Sequence, residues 1–253
     1  MKFPRISGLL LNLGAAFVLL TRLPMPRLPD AAFAQTAQAV WAYGIVGGVI
    51  GAIAATCGAL ALSVGLPATV AAGLVLIVLI VVAGAMHEDG LADTADGFWG
   101  AHSPEQRLAI MKDSQIGSYG TLSLILVTGL RWSAIAALLT SNPAAIIASA
   151  AVSRAAMPLV MHRLEPARSV GLSQGVGQPA LPVTLAAVGI GLGIAFCAVG
   201  ATAIVSVVLC LVICSACMFV AHKKIGGQTG DVLGATQQLC EVATLCFFAA
   251  ILA

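Results

Sequence analysis

Seven apolar runs of roughly 18 to 24 residues recur along the chain, at about 40–62, 68–86, 119–140, 143–162, 181–199, 202–221 and 234–252. About 20 apolar residues is the length that crosses a bilayer as an α-helix, and a backbone in lipid must satisfy its own hydrogen bonds. These constraints predict an all-α, polytopic transmembrane helical bundle of about seven spans, one integral membrane domain over residues 1–253. Composition bears on this directly: 60% of the residues are hydrophobic and 9% charged, against about 25% charged in a soluble domain. The net charge of +2, with no basic stretch interleaved with aromatics, argues against a nucleic-acid partner. The lipid bilayer is the expected surrounding, and a homo-oligomer is compatible with the pattern.

The start of the chain imitates a signal peptide, with Lys2 and Arg5, then an apolar stretch from Leu9 to Leu20, then Ala32-Phe33-Ala34. The spacing is wrong for cleavage, because Arg22, Arg27, Asp30 and three prolines separate the apolar core from the small triplet. The expectation is a retained interfacial or re-entrant helix over 3–20, inside an N-terminal segment 1–38. Seven cysteines lie mostly within apolar runs, where cysteine behaves as a small hydrophobe. Cys214 and Cys217 have C-x-x-C spacing but no second ligand pair, so they are read as packing.

Charge placement orients the bundle. With the N-terminus in the cytoplasm, Lys2, Arg5, Arg22, Arg27, Arg107, Lys112, Arg163, Arg168, Lys223 and Lys224 all fall on the cytoplasmic side. The opposite loops, 63–69, 141–143 and 199–201, carry no charge. Six of the ten carboxylates lie in one cytoplasmic loop, 87–118, read as the catalytic loop. One membrane face is therefore chemically equipped.

Within that loop stands His87-Glu88-Asp89-Gly90-Leu91-Ala92-Asp93-Thr94-Ala95-Asp96-Gly97. If the stretch continues the second span as a helix, Asp89, Asp93 and Asp96 share one face at i, i+4 and i+7. Carboxylates so placed repel unless a cation neutralises them, and oxygen ligands select Mg²⁺ or Mn²⁺, often shared with substrate phosphates. Metal-assisted transfer from a diphosphate is the chemistry this suggests. Glu88 points off that face. His87 could support the site, act as a base, or only mark the interface.

A second polar block, Met111-Lys112-Asp113-Ser114-Gln115-Ile116-Gly117-Ser118-Tyr119-Gly120, precedes the third span. Lys112 can balance phosphate charge, and Ser118 with its glycines suits an anion at a helix N-terminus. Asp113 is counted with the substrate-binding residues. Arg131 and Arg154 lie inside spans, where each needs a polar partner; a metal-bound diphosphate would be one. A third block carries Gly226, Gly227, Thr229 and Asp231, with Glu241 following inside the last span. Consecutive glycines with a threonine and a carboxylate suit close approach to phosphate.

Taken together, Leu20-Thr21-Arg22-Leu23-Pro24, the 87–97 block, the 111–120 block and Gly226-Gly227-Gln228-Thr229-Gly230-Asp231-Val232-Leu233-Gly234-Ala235 resemble the cobalamin synthase family, in its order and spacing and nearly end to end. One departure is Tyr43-Gly44-Ile45, where an aromatic-proline pair is often seen. The resemblance implies an adenosylcobinamide-GDP ribazoletransferase in the bacterial cytoplasmic (inner) membrane. Such an enzyme joins adenosylcobinamide-GDP to α-ribazole or its 5′-phosphate, with Mg²⁺, and releases GMP. On that basis Asp89, Asp93 and Asp96 would hold Mg²⁺, and Lys112 and Arg154 would neutralise the leaving charge. Asp96 or Asp231 would accept the hydroxyl proton, and His87, Asp113, Ser118, Arg131, Gly226, Gly227, Thr229 and Glu241 would help bind substrate. The rival readings are another metal-dependent membrane phospho-alcohol or prenyl transferase, whose signature elements are missing, and a corrinoid or small-molecule transporter, for which no repeat is visible.

Overall fold

The computed structural model describes residues 6–33 and 35–253, and among them secondary structure is helical apart from one isolated bridge. Lys2, Arg5 and the first residues of the expected 3–20 helix lie outside the described residues. Helix α1 (Ile6–Leu20) is followed by short 3-10 turns at Asp30–Ala32 and Thr36–Ala42, then by α2 (Tyr43–Ser63), α3 (Ala68–Ala83), α4 (Met86–Gly100) and α5 (Pro104–Ile110). The long helices α6 (Ser118–Ser141) and α7 (Ala144–Arg163) come next, then the short α8 (Leu172–Val176). The chain closes with α9 (Leu181–Val199), α10 (Thr202–Ile225) and α11 (Gly230–Leu252).

Six helical units are long and apolar enough to cross a membrane: Thr36–Ser63, α6, α7, α9, α10 and α11. A seventh candidate crossing is the sharply bent α3–α4 pair, and here the expected 68–86 span is corrected. The helix stops at Ala83, and α4 leaves at 87° to α3. Gly84 (φ 68) and Ala85 (φ 56) both adopt the left-handed conformation at the break, Ala85 being the one described non-glycine residue to do so. Arg22 secures the corner: its amide donates to Val82 O at 2.7 Å, and its side chain lies where a Cβ on Gly84 would sit. A cation at a helix C-terminus is favoured by the helix dipole.

The bundle closes around α7, which is buried along most of its length and packs on α2, α9, α10 and α11. Small residues allow it. A Cβ on Gly51 of α2 would lie 2.8 Å from Ile147 Cα, and one on Gly47 would meet the Ala150 carbonyl oxygen still more closely. In lipid, such close backbone approach supplies dispersion contacts that the hydrophobic effect does not.

Two further boundaries differ from expectation. The α10 helix carries Lys223 and Lys224 in its last turn, and α11 begins at Gly230, so Asp231 is in its first turn. Glu241 consequently lies about three turns into α11. The loop expected over 87–118 is largely helical, as α4 and α5. Its far end meets α10: Arg107 Nη1 donates to Lys224 O at 2.9 Å, and Lys224 Nζ to Phe98 O at 2.9 Å.

Candidate active site

Because α4 turns away from α3, it lies across the beginning of α11 and of α6. Two glycines set the spacing. A Cβ on Gly90 would stand 2.7 Å from Asp231 O, and one on Gly234 3.2 Å from His87 Cα. The α4 and α11 backbones therefore touch, and Asp89 and Asp93 are carried to the side where Asp231 begins α11.

A second pairing builds the opposite wall. Gln228 N donates to Glu165 O at 2.9 Å and Ala167 N to Gln228 O at 2.8 Å, joining the segment after α7 to the segment before α11. Gly227 has to be glycine at this crossing, since a side chain would collide with Glu165 O. The bridge delivers Arg168, whose Nη1 donates to Asp231 Oδ2 at 3.2 Å while Nη2 donates to Leu108 O at 3.0 Å. Thr229 caps α11, accepting from Val232 N at 3.3 Å, and its hydroxyl donates to Asp231 Oδ2 at 3.1 Å.

The result is a cleft of about 140 Å³ bordered by Asp89, Arg168, Ser173, Gln228, Thr229 and Asp231. Arg168 Nε and Gln228 Oε1 are buried there without a partner. Beside the cleft, Asp93 is pushed up to about 7, first by partial burial and then by the charges of Asp89 and Asp231, against the pull of Arg168. Negative charge thus accumulates faster than Arg168 compensates it.

Asp96 has a different task. Its Oδ2 accepts from Gly117 N at 2.7 Å and its Oδ1 from Gly120 N at 2.9 Å. It is buried, and it clamps the start of α6, where helix amides lack internal partners. The metal and base roles expected of Asp96 need a carboxylate directed into the cleft; this one is turned to the α6 amides, and Asp231 stands beside Asp89 and Asp93 instead.

The intramembrane arginines have protein partners. Arg131 Nη1 donates to Glu88 Oε1 at 2.8 Å and to Gln238 Oε1 at 2.7 Å, and its Nη2 donates to Glu241 Oε1 at 2.6 Å. Arg154 Nη1 donates to Glu241 Oε2 at 3.0 Å, an oxygen that also accepts from Gln237 at 2.6 Å. Two cations and two anions from α4, α6, α7 and α11 form one connected network. The diphosphate expected as partner for Arg131 and Arg154 is replaced by Glu88 and Glu241, and both arginines are only 1% exposed.

The family model described as cobalamin-5-phosphate synthase matches residues 12–249. The chain belongs to the cobalamin-5-phosphate synthase family. An adenosylcobinamide-GDP ribazoletransferase of Mesorhizobium japonicum is 38% identical over 252 residues, covering 97% of this chain and 96% of its own. The protein of that name from Azorhizobium caulinodans is 40% identical over 254 residues, 95% and 96% of the two chains. The one from Brucella canis is 38% identical over 242 residues, 89% and 91% of the two. No solved structure matches the chain.

For a member of this synthase family, the geometry sorts the expected site residues into groups. Asp89, Thr229 and Asp231 line the cleft, and Asp93 stands beside it. Asp113 and Ser118 border a second depression of about 330 Å³ on the Asp96 side of α4, with Lys112 exposed nearby in sequence. Arg131, Arg154 and Glu241 belong to the buried network, with His87 close to it. Gly226 (φ 74) caps α10, and Gly227 packs on Glu165. Arg168, Glu88, Gln237 and Gln238 were not singled out as site residues from sequence. The last two were signalled by the polar Gln237-Gln238-Glu241 patch inside an apolar span.

The donor set at the cleft bears on the Mg²⁺ that the resemblance implies. Among the described residues, no three His, Cys, Asp or Glu side chains converge closely enough to cage an ion alone. Asp89 and Asp231 line one cleft with Asp93 beside it, and the negative charge that raises Asp93 suits a divalent ion completed by substrate phosphates, the usual habit of Mg²⁺.

Proposed function

We propose that the protein joins adenosylcobinamide-GDP to α-ribazole or its 5′-phosphate and releases GMP, at the cytoplasmic face of the inner membrane. The observation that carries the site assignment is the cleft where α4 crosses α11, lined by Asp89, Arg168 and Asp231 with Asp93 beside it. A ribose hydroxyl attacks the phosphorus on the cobinamide side of the diphosphate. The new P–O bond forms as the P–O bond to GMP breaks, and the hydroxyl proton passes to a carboxylate. Asp231 is the group assigned to receive it, since Asp96 is occupied at the α6 amides. Mg²⁺ held by Asp89 and Asp93 would supply Lewis-acid stabilisation of the diphosphate charge. Arg168, anchored by Asp231 and Leu108 O, presents a cation to the departing phosphate.

The cleft has room for phosphates and a ribose, while a corrin ring must rest on the exposed face above it. The orientation is supported by the basic ends of α5 and α10 meeting at Arg107 and Lys224. The test is a reconstituted assay: full-length protein in liposomes receives both substrates and Mg²⁺, and GMP and corrinoid product are followed by chromatography. Equal amounts of the two products, stopped by EDTA, are expected. No turnover by folded protein would contradict the assignment.

A further inference from the structure

Beside the cleft lies a second, smaller chamber that shares Met86, Leu172, Ser173 and Gly230 as common wall. Its remaining lining is apolar, drawn from Tyr43, Met157 and Met161 among others, with one exception. His87 lines it, is 2% exposed, and has no hydrogen-bond partner on either ring nitrogen. Buried polar atoms are rarely left so. The ion network nearby does not use the ring: Arg131, Arg154, Glu88 and Glu241 bond to one another and to glutamines. Both ring nitrogens are thus hydrogen-bonding positions that the protein leaves free, facing the chamber.

The chamber now measures about 50 Å³, room for a water or two. Its cover is α8, flanked by Gly171 (φ 148) and Gly177 (φ 81), conformations that glycine adopts freely. Thr36 Oγ1 ties α8 down through long hydrogen bonds, 3.4 Å to both Gly175 O and Val176 O. Three methionines give adaptable walls that favour aromatic rings.

We propose that this chamber is the subsite for the base of the acceptor nucleoside, a flat bicyclic heteroaromatic with one unprotonated ring nitrogen that His87 recognises, admitted when α8 lifts. The inference rests on the ribazole-transfer reading, ribazole being a benzimidazole nucleoside. Phosphate chemistry suits the cleft and an apolar base suits the chamber. A ribose spanning their shared wall at Gly230 stands next to Asp231, which the reaction needs.

The test compares two acceptors with full-length protein in detergent or liposomes: the benzimidazole nucleotide, and its indole isostere in which C–H replaces the ring nitrogen. Binding of free benzimidazole and free indole is followed in parallel by ligand-detected NMR. The wild type is expected to favour the benzimidazole nucleotide by at least about tenfold in KM, because a site built around a hydrogen bond rejects the analogue lacking it. His87→Phe should abolish that preference and the binding of free benzimidazole, with the KM of the GDP-linked donor unmoved. If His87→Phe does not fold, Val176→Trp, at a position that lines the chamber and not the cleft, should raise the acceptor KM by about tenfold or more while sparing the donor KM. Free benzimidazole binding lost in His87→Phe, in a wild type that does not turn over, would uphold the chamber and remove the transfer reading. Turnover with the benzimidazole preference intact in His87→Phe, or with neither KM changed in Val176→Trp, would overturn the chamber.

Discussion

Arg131 on α6 and Glu241 on α11 meet at 2.6 Å with each side chain 1% exposed, deep in a bundle otherwise built from apolar residues. Glu241 also holds Arg154, so one carboxylate neutralises parts of two guanidinium groups. Removing one partner from a buried pair strands the others, at about 3–5 kcal/mol. Glu241→Gln should lower the detergent unfolding midpoint sharply, and what folds should keep its turnover. A variant that unfolds at the wild-type midpoint yet has lost activity would move Glu241 from the scaffold to the reaction.

Asp96 predicts a different pattern. Both its oxygens serve the α6 amides, so Asp96→Ala leaves Gly117 N and Gly120 N unpaired and should cost about 1–2 kcal/mol, as loss of a helix cap does. Asp96→Asn, which keeps one acceptor, should be milder in stability. Hydrogen exchange at the start of α6 is the direct measurement, and unaltered protection in Asp96→Ala would sink the clamp.

The raised pKa of Asp93, about 7, makes a prediction about pH. A carboxyl raised by folding contributes stability that is complete below its unfolded value and is lost as pH rises through about 7. Metal-free protein should therefore unfold more easily at pH 8 than at pH 6. A divalent ion competes with the proton, so its apparent affinity should rise by up to about tenfold per pH unit below the pKa and level off above it. Asp93→Asn should flatten both profiles. Unchanged profiles in that variant would place the titrating group elsewhere.

Counting the bent α3–α4 pair as one crossing gives seven, and the proposed orientation then puts the two termini on opposite sides. A phosphatase reporter fused after Ala253 should be active outside the cell, and one fused after Ser114 inactive. Activity at Ser114 and silence at Ala253 would reverse the orientation and put the cleft on the wrong face.

The spans were readable because hydrophobic length alone specifies them. The α3–α4 corner was not, because Gly84 and Ala85 sit unremarked at the end of an apolar run, and the left-handed turn there depends on Arg22 from far upstream. Helical spacing correctly placed Asp89, Asp93 and Asp96 on one helix. It carried no information on what each faces, which is set by α11 for the first two and by the α6 amides for the third. The lone intramembrane arginines announced that partners exist. Two glutamates in or beside apolar helices were the available answer, yet a substrate diphosphate satisfied the same electrostatic need on paper. Gly227 read as a phosphate-binding glycine, whereas it marks, as Gly90 does, a place where two backbones touch.

The most direct test of the central claim is the turnover of Asp93→Asn in liposomes with both substrates and Mg²⁺, measured beside its unfolding midpoint. If the carboxylates of α4 facing Asp231 are the reaction centre, GMP release should fall by at least about 100-fold, as when a charge-stabilising group is removed. The midpoint should hold or rise, because a repelled charge has been deleted. Wild-type turnover in a folded Asp93→Asn protein would contradict the assignment and move the chemistry away from this face of α4.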